Sequence, residues 1–140
     1  MLEGENYKVK LVVESEQNGC TMRDFTLQSA QDDYDLPVRI FHYPSWPHSC
    51  SPLHTVFDLI KKVQEWNKET QHGPVIVVDR YGGTEAATFC LLTSVSKQLA
   101  HEGHVDVYMY AKLYHMRRPG IWPAVVSIFL CLASETERAF

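Results

Sequence analysis

The 140-residue chain has no CxxC pair: its four cysteines, Cys20, Cys50, Cys90 and Cys131, lie far apart. That spacing excludes the usual zinc arrangements and a dense disulfide framework, and it points to reduced thiols. No long basic run occurs and the net charge is −4, so the electrostatic footprint of a nucleic-acid binder is missing. The seven histidines show no HxxxH spacing; His101 and His104 are three apart but straddle Gly103. No metal site and no cofactor are expected. The opening MLEGENYKVK has no apolar stretch, so no signal peptide is expected. The most hydrophobic segment, Ile121 to Ala133, is 13 residues long and contains Pro123. A membrane span needs about 20 residues, so this run reads as a buried element or a sticky tail. Internal repeats and low-complexity tracts are absent.

What is present is an ordinary soluble composition, 45% hydrophobic and 21% charged, in a length that suits one domain. Tyr7 to Glu14 alternates Tyr, Val and Leu with Lys, the pattern of a strand. Asn18-Gly19 is a hairpin signal, and alternation resumes from Met22 to Gln28. Gln31 to Pro37 reads as a polar loop, Val38 to Tyr43 as a strand, and the proline-rich Pro44 to Pro52 as a second loop. Ser51 suits a helix cap and Pro52 a first turn. Leu53, Val56, Phe57, Ile60, Val63 and Trp66 then share one helical face. Gly73-Pro74 stops that helix. Val75 to Val78 is a short β-branched run, typical of a strand buried on both faces. A helix from about Glu85 to His101 directs Phe89, Leu92, Val95 and Leu99 at the core, and another runs from about Val105 to Met116. Strands followed by helices predict an α/β or α+β layer architecture.

Three features carry candidate chemistry. His48, in WPHSC, has the right side chain for a general acid or base, although a surface histidine is the commoner case. Asp79 follows an apolar run, where a carboxylate can act as a phosphoryl acceptor. Aspartyl enzymes of that kind carry a second acid two positions on, and here that position is Tyr81. The alternative role for Asp79 is to cap its own loop or pair with Arg80. Tyr81-Gly82-Gly83-Thr84 leads into a helix, a geometry in which backbone N–H groups cradle anions, but a plain tight turn fits as well. Glu85 and Arg117-Arg118 are each accounted for by the helix dipole.

FHYPSWPHSCSP (Phe41 to Pro52) resembles the FHYxxWPDHGxP stretch of protein tyrosine phosphatases. GPVIVVDRYGGTEAATF (Gly73 to Phe89) resembles their GPxxVHCxAGxGRTGTF phosphate loop, and VDVYMYAKLYHMRRPG (Val105 to Gly120) resembles VDVxxxVxxLRxxRPG. The blocks are co-linear and correctly separated. DRYGGTEAATFC is most similar to the second, membrane-distal domain of receptor-type phosphatases, nearest to the insect neuronal class. The resemblance implies a mixed central sheet flanked by helices. It also implies that residues 1–140 are one partial domain, incomplete in its N-terminal half, with 121–140 a divergent tail. An apolar sheet surface left uncovered in this way favours self-association.

The resemblance also implies lost chemistry. The family's nucleophilic Cys is Asp79, its phosphate-gripping Arg is Glu85 and its general-acid Asp is His48. The His before the nucleophile is Val78, the residues after the Arg are Ala86 and Ala87, and no Gln follows Gln98. Of the loop remnant Asp79, Arg80, Tyr81, Gly82, Gly83, Thr84 and Glu85, Gly82 keeps the family identity at mid-loop. A thiolate and an Arg sum to about zero, whereas Asp79 and Glu85 sum to −2 when ionised. One unit charge at about 4 Å is worth roughly 4 kcal/mol at an effective dielectric near 20, so phosphate is repelled. The expectation is a catalytically inactive regulatory or interaction module on the cytoplasmic side of a receptor. Its partners would be proteins, an active phosphatase domain of the same receptor among them. The alternatives are a phosphotyrosine-binding module without catalysis, or a Mg²⁺-dependent phosphohydrolase using Asp79.

Overall fold

A computed structural model describes residues 2–4, 6–31, 33–46, 54–70 and 73–122. The chain divides into two compact units, residues 1–46 with 63–74, and residues 47–62 with 75–140.

In the first unit four strands, β1 (Leu2–Glu3), β2 (Tyr7–Gln17), β3 (Cys20–Ser29) and β4 (Asp35–His42), form a sheet in sequence order. Every pairing is antiparallel. The β2–β3 turn is Asn18-Gly19, with φ of 53° and 73°. Two consecutive left-handed residues match the right-handed twist of the flanking strands, and Asn and Gly tolerate that conformation best. Gln17 therefore pairs with Cys20.

Two details differ from the sequence reading. Alternation in β2 puts Leu11 and Val13 on one face, but a bulge at Val12 pairs Leu11 with Phe25 and Val13 with Asp24. The extra residue moves Val13 to the opposite face. The polar loop after β3 is also shorter, because β4 begins at Asp35 and includes Pro37 opposite Thr26. A proline is tolerated there because β4 is an edge strand.

One face of the sheet carries Val9, Leu11, Phe25, Leu27, Leu36, Val38 and Ile40 in facing rows. On the other, Arg39 makes a forked bond to Asp24 and lays its guanidinium 3.9 Å from the Trp66 ring centroid. The hydrogen bond from Arg39 holds the Asp24 carboxyl below the ordinary carboxylate range, against a smaller opposing effect of burial.

Helix α1 (His54–Thr70) contributes its first half to the second unit and its second half to the first. Val56, Leu59 and Ile60 are buried, as the 3.6-residue period requires. The cap and first turn assigned to Ser51 and Pro52, and the apolar contact of Leu53, lie outside the described residues.

Helix α2 (Thr84–Glu102) is the core of the second unit, with Ala87, Phe89, Leu91, Leu92 and Val95 buried. Leu99, expected in the core, is 45% exposed. It stands in the last turn, where its carbonyl accepts the Gly103 N–H. Helix α3 (Val107–Arg117) starts at Asp106, whose carboxylate accepts the Met109 N–H. Its Tyr114 hydroxyl meets Ser94 of α2 at 3.2 Å, and its ring stands edge-on to Trp122. No helix among the described residues is long and apolar enough to cross a membrane.

The buried strand expected at Val75 to Val78 does not form. The segment is unpaired among the described residues, and Ile76 and Val78 are 81% and 80% exposed. β-branched composition favours an extended backbone, but a strand exists only where a ladder partner is supplied. The architecture is therefore α+β, with an antiparallel sheet and helices.

Candidate functional site: a loop folded around its own carboxylate

Residues 79–85 follow the unpaired Val75–Val78 segment and turn directly into α2. A helix start has N–H groups without intrahelical partners, and here the loop adds more of them. Three of these groups, on Tyr81, Gly83 and Ala86, donate to one side chain. Asp79 Oδ1 accepts from the Tyr81 N–H at 2.9 Å and the Gly83 N–H at 2.8 Å. Oδ2 accepts from the Gly83 N–H at 2.8 Å and the Ala86 N–H at 3.0 Å. Of the two structural roles open to Asp79, loop capping and pairing with Arg80, capping is the one observed. Arg80 lies 5.3 Å from the centroid of its neighbour Tyr81, and no Asp79–Arg80 ion pair occurs among the described residues.

The electrostatics follow from this wrapping. Burial pushes the Asp79 carboxyl up, but the N–H groups of Ala86, Gly83, Tyr81 and Gly82 together outweigh it and hold the carboxyl below the usual carboxylate range. Such a carboxylate is a poor nucleophile, because its lone pairs are engaged and its basicity is low. Cys90, one helical turn beyond Ala86, offers no substitute: burial pushes its thiol up, the opposite of activation.

The loop is held from behind. Thr84 Oγ1 donates to the Ile121 carbonyl at 2.7 Å, Thr88 Oγ1 donates to the Thr84 carbonyl, and Trp122 Nε1 donates to Thr88 Oγ1. Ile121 and Trp122 are buried. The hydroxyls of Thr84 and Thr88 thus tie the start of α2 to the segment after α3. Gly82 sits at φ 61°, in the left-handed region, and a Cβ there would lie 3.1 Å from Arg118 Nη1. Arg118 Nη2 in turn donates to the Tyr81 carbonyl at 3.4 Å. Helix-end position accounted for Arg118 in the sequence, but its guanidinium reaches back over the loop. The Arg-Arg-Pro-Gly signal is local and carries no information about that reach.

Glu85 is half-buried in the first turn of α2, where the helix dipole favours an anion. The structure thus gathers Asp79, Tyr81, Gly82, Gly83 and Ala86 around one carboxylate, with Arg118 and Glu85 at the margins. His48 lies outside the described residues, as does Ile121–Ala133 beyond Trp122. Among the described residues no three His, Cys, Asp or Glu side chains converge as metal ligands.

Removing the Asp79 charge tests the capping role. Asp79→Asn keeps one oxygen acceptor but loses the charge, and it should cost about 1 kcal/mol at neutral pH. The folded-state carboxyl is shifted down, so its stabilisation is complete above the unfolded value of about 3.9 and is lost as pH falls through the lower folded value. Denaturant midpoints from pH 7 downward should therefore show the gap between the two proteins closing only below the ordinary carboxylate range. A gap that stays constant with pH would rule out the charge as its source.

Comparison with known proteins identifies the family. The family model described as protein-tyrosine phosphatase matches residues 1–132. Over 127 residues the chain is 42% identical to the receptor-type tyrosine-protein phosphatase mosPTP-1 of Culex quinquefasciatus, covering 91% of this chain and 8% of that protein. It is 41% identical to tyrosine-protein phosphatase 99A of Drosophila melanogaster, covering 86% of this chain and 9% of that one. With the human receptor-type tyrosine-protein phosphatase zeta the identity is 42%, over 84% of this chain and 5% of the relative. The chain thus spans less than a tenth of each of these relatives. With a family match across nearly its whole length, and an α+β fold whose glycine loop opens α2, the chain belongs to the protein-tyrosine phosphatase family.

Proposed function

We propose that the chain is a catalytically inactive tyrosine-phosphatase-like domain, serving as a regulatory or interaction module in receptor phosphatase signalling on the cytoplasmic side. One observation carries this reading: the carboxylate of Asp79, at the position of the family's nucleophile, accepts from the loop N–H groups of Tyr81, Gly83 and Ala86. In a working phosphate loop, such amides bind the three oxygens of the incoming phosphoryl group. Here an internal anion takes them, and Glu85 adds a second negative charge where the family has a guanidinium.

The same contact counts against the two alternatives. A phosphotyrosine-binding module needs the amides that Asp79 holds. An aspartyl phosphohydrolase needs a free carboxylate oxygen and a second acid, and Tyr81 occupies that second position. Partners are then proteins, and the receptor-type relatives suggest an active phosphatase domain of the same receptor as the first candidate.

The direct test is turnover of p-nitrophenyl phosphate by the purified chain, with and without Mg²⁺. No turnover above buffer is expected in either condition. Vanadate-sensitive hydrolysis, or Mg²⁺-dependent hydrolysis that disappears in Asp79→Asn, would refute the proposal.

A further inference from the structure

Tyr81 is the most exposed of the large hydrophobic side chains in the second unit after Ile76 and Val78, at 77%. Its backbone is nonetheless held on both sides. Its N–H donates to Asp79 Oδ1, and its carbonyl accepts from Arg118 Nη2. The ring therefore projects from an anchored loop and has no role in a core. One guanidinium lies over the ring, that of Arg80 at 5.3 Å from its centroid, and a second, that of Arg118, holds the backbone at the Tyr81 carbonyl and beside Gly82. The acid nearest in sequence, Asp79, has its charge taken up by loop amides. An exposed phenol on a loop that carries one guanidinium at its ring and another at its backbone suits a phosphate dianion, because Arg offers paired N–H donors to phosphate oxygens.

We infer that Tyr81 is a tyrosine phosphorylation site whose phosphate is retained by Arg80 and Arg118. The donor is ATP–Mg²⁺ and the catalyst is a protein tyrosine kinase. The Tyr81 oxygen forms a bond to the γ-phosphorus, the bond from that phosphorus to the β–γ bridging oxygen breaks, and ADP leaves. The phenolic proton passes to the catalytic base of the kinase.

The other exposed tyrosines do not offer the same setting. Tyr7 lies in the β2 ladder and Tyr108 in helix α3, within regular elements, whereas Tyr81 stands in a loop. Tyr34 lies in the β3–β4 loop between Asp33 and Asp35, where a phosphate meets like charge. Phosphorylation at Tyr81 adds about −1.5 to −2 charge at neutral pH and turns the loop into a ligand for a phosphotyrosine-reading domain. The inference does not depend on the chain's lack of phosphatase activity.

The test treats the full chain with a broad-specificity tyrosine kinase and ATP–Mg²⁺, and maps sites by mass spectrometry over time. Tyr81 should be modified ahead of Tyr34, Tyr7 and Tyr108, and Tyr81→Phe should remove the leading site. In ³¹P NMR, the second ionisation of the Tyr81 phosphate should fall below the ordinary value of about 6 and return to it in Arg80→Ala/Arg118→Ala. An unmodified Tyr81 in a chain that takes phosphate elsewhere, or in one that takes none, would overturn the site assignment. An ordinary phosphate ionisation, unchanged by loss of both arginines, would overturn the part assigned to Arg80 and Arg118. Phosphatase assays do not enter either outcome.

Discussion

The double variant Asp79→Ala/Glu85→Arg should bind inorganic phosphate or vanadate at least about tenfold more tightly than the unmodified chain. The first change removes the carboxylate that accepts from Tyr81, Gly83 and Ala86 and leaves those N–H groups turned toward an empty cradle. The second puts a guanidinium at the first turn of α2, where Glu85 now stands. Together they change the local charge from −2 to +1. Each unit charge at about 4 Å is worth roughly 4 kcal/mol at an effective dielectric near 20, and most of that is offset by desolvating the anion and ordering the new side chain. A net gain of only about 1.4 kcal/mol still yields the tenfold change. Titration followed through the amide resonances of Tyr81, Gly83 and Ala86 reads it directly. The single variants set the scale. If the double variant binds no better than either single change, the loop lacks the anion geometry assigned to it.

Leu91→Ala should be the most damaging single substitution in the second unit, at about 3 kcal/mol, or roughly 10 °C in Tm for a chain of this size. Leu91 is completely buried in the middle of α2, between Ala87 and Val95 on the same face. Truncation removes methyl groups that are out of water and leaves a cavity that the neighbouring helix cannot fully close. The control is Leu99→Ala on the same helix. Leu99 stands in the exposed last turn, so the same chemical change there should cost under about 0.5 kcal/mol. Chemical denaturation of the two variants side by side would decide the matter. Equal costs would mean that the helix is oriented otherwise than described.

Together these expectations separate two properties that ancestry usually couples. The scaffold of a phosphate loop depends on a short connection into a helix, on Gly82 in a left-handed conformation, and on the threonine hydroxyls that tie α2 to Ile121 and Trp122. None of these needs the nucleophile. In the proposed reading the chemistry depends on the side chains at positions 79 and 85 and on the general-acid position, and those can change while the loop still folds. In this chain the Asp79 carboxylate stabilises the loop, because it supplies an acceptor for amides that would otherwise lack one.

Much of this was decided by residue identity alone. Asn18-Gly19 specified the hairpin, since only residues tolerant of positive φ make a two-residue turn of the required twist. The 3.6-residue apolar period located the first two helices, and the motif positions raised the expectation that Asp79, Glu85 and His48 are replacements. These are local properties, set by residues within a turn or two of one another. The tertiary structure decided what depends on distant partners. Val75 to Val78 has the composition of a buried strand but no ladder among the described residues, so it stays unpaired, with Ile76 and Val78 exposed. The Val12 bulge reverses the face of Val13, because its register is chosen against β3. Arg118 reaches the Tyr81 carbonyl across 37 positions of sequence. And the role of Asp79, nucleophile, ion-pair partner or cap, was open until its carboxylate was seen facing the N–H groups of its own loop: a side chain's chemistry follows from the groups that converge on it in space.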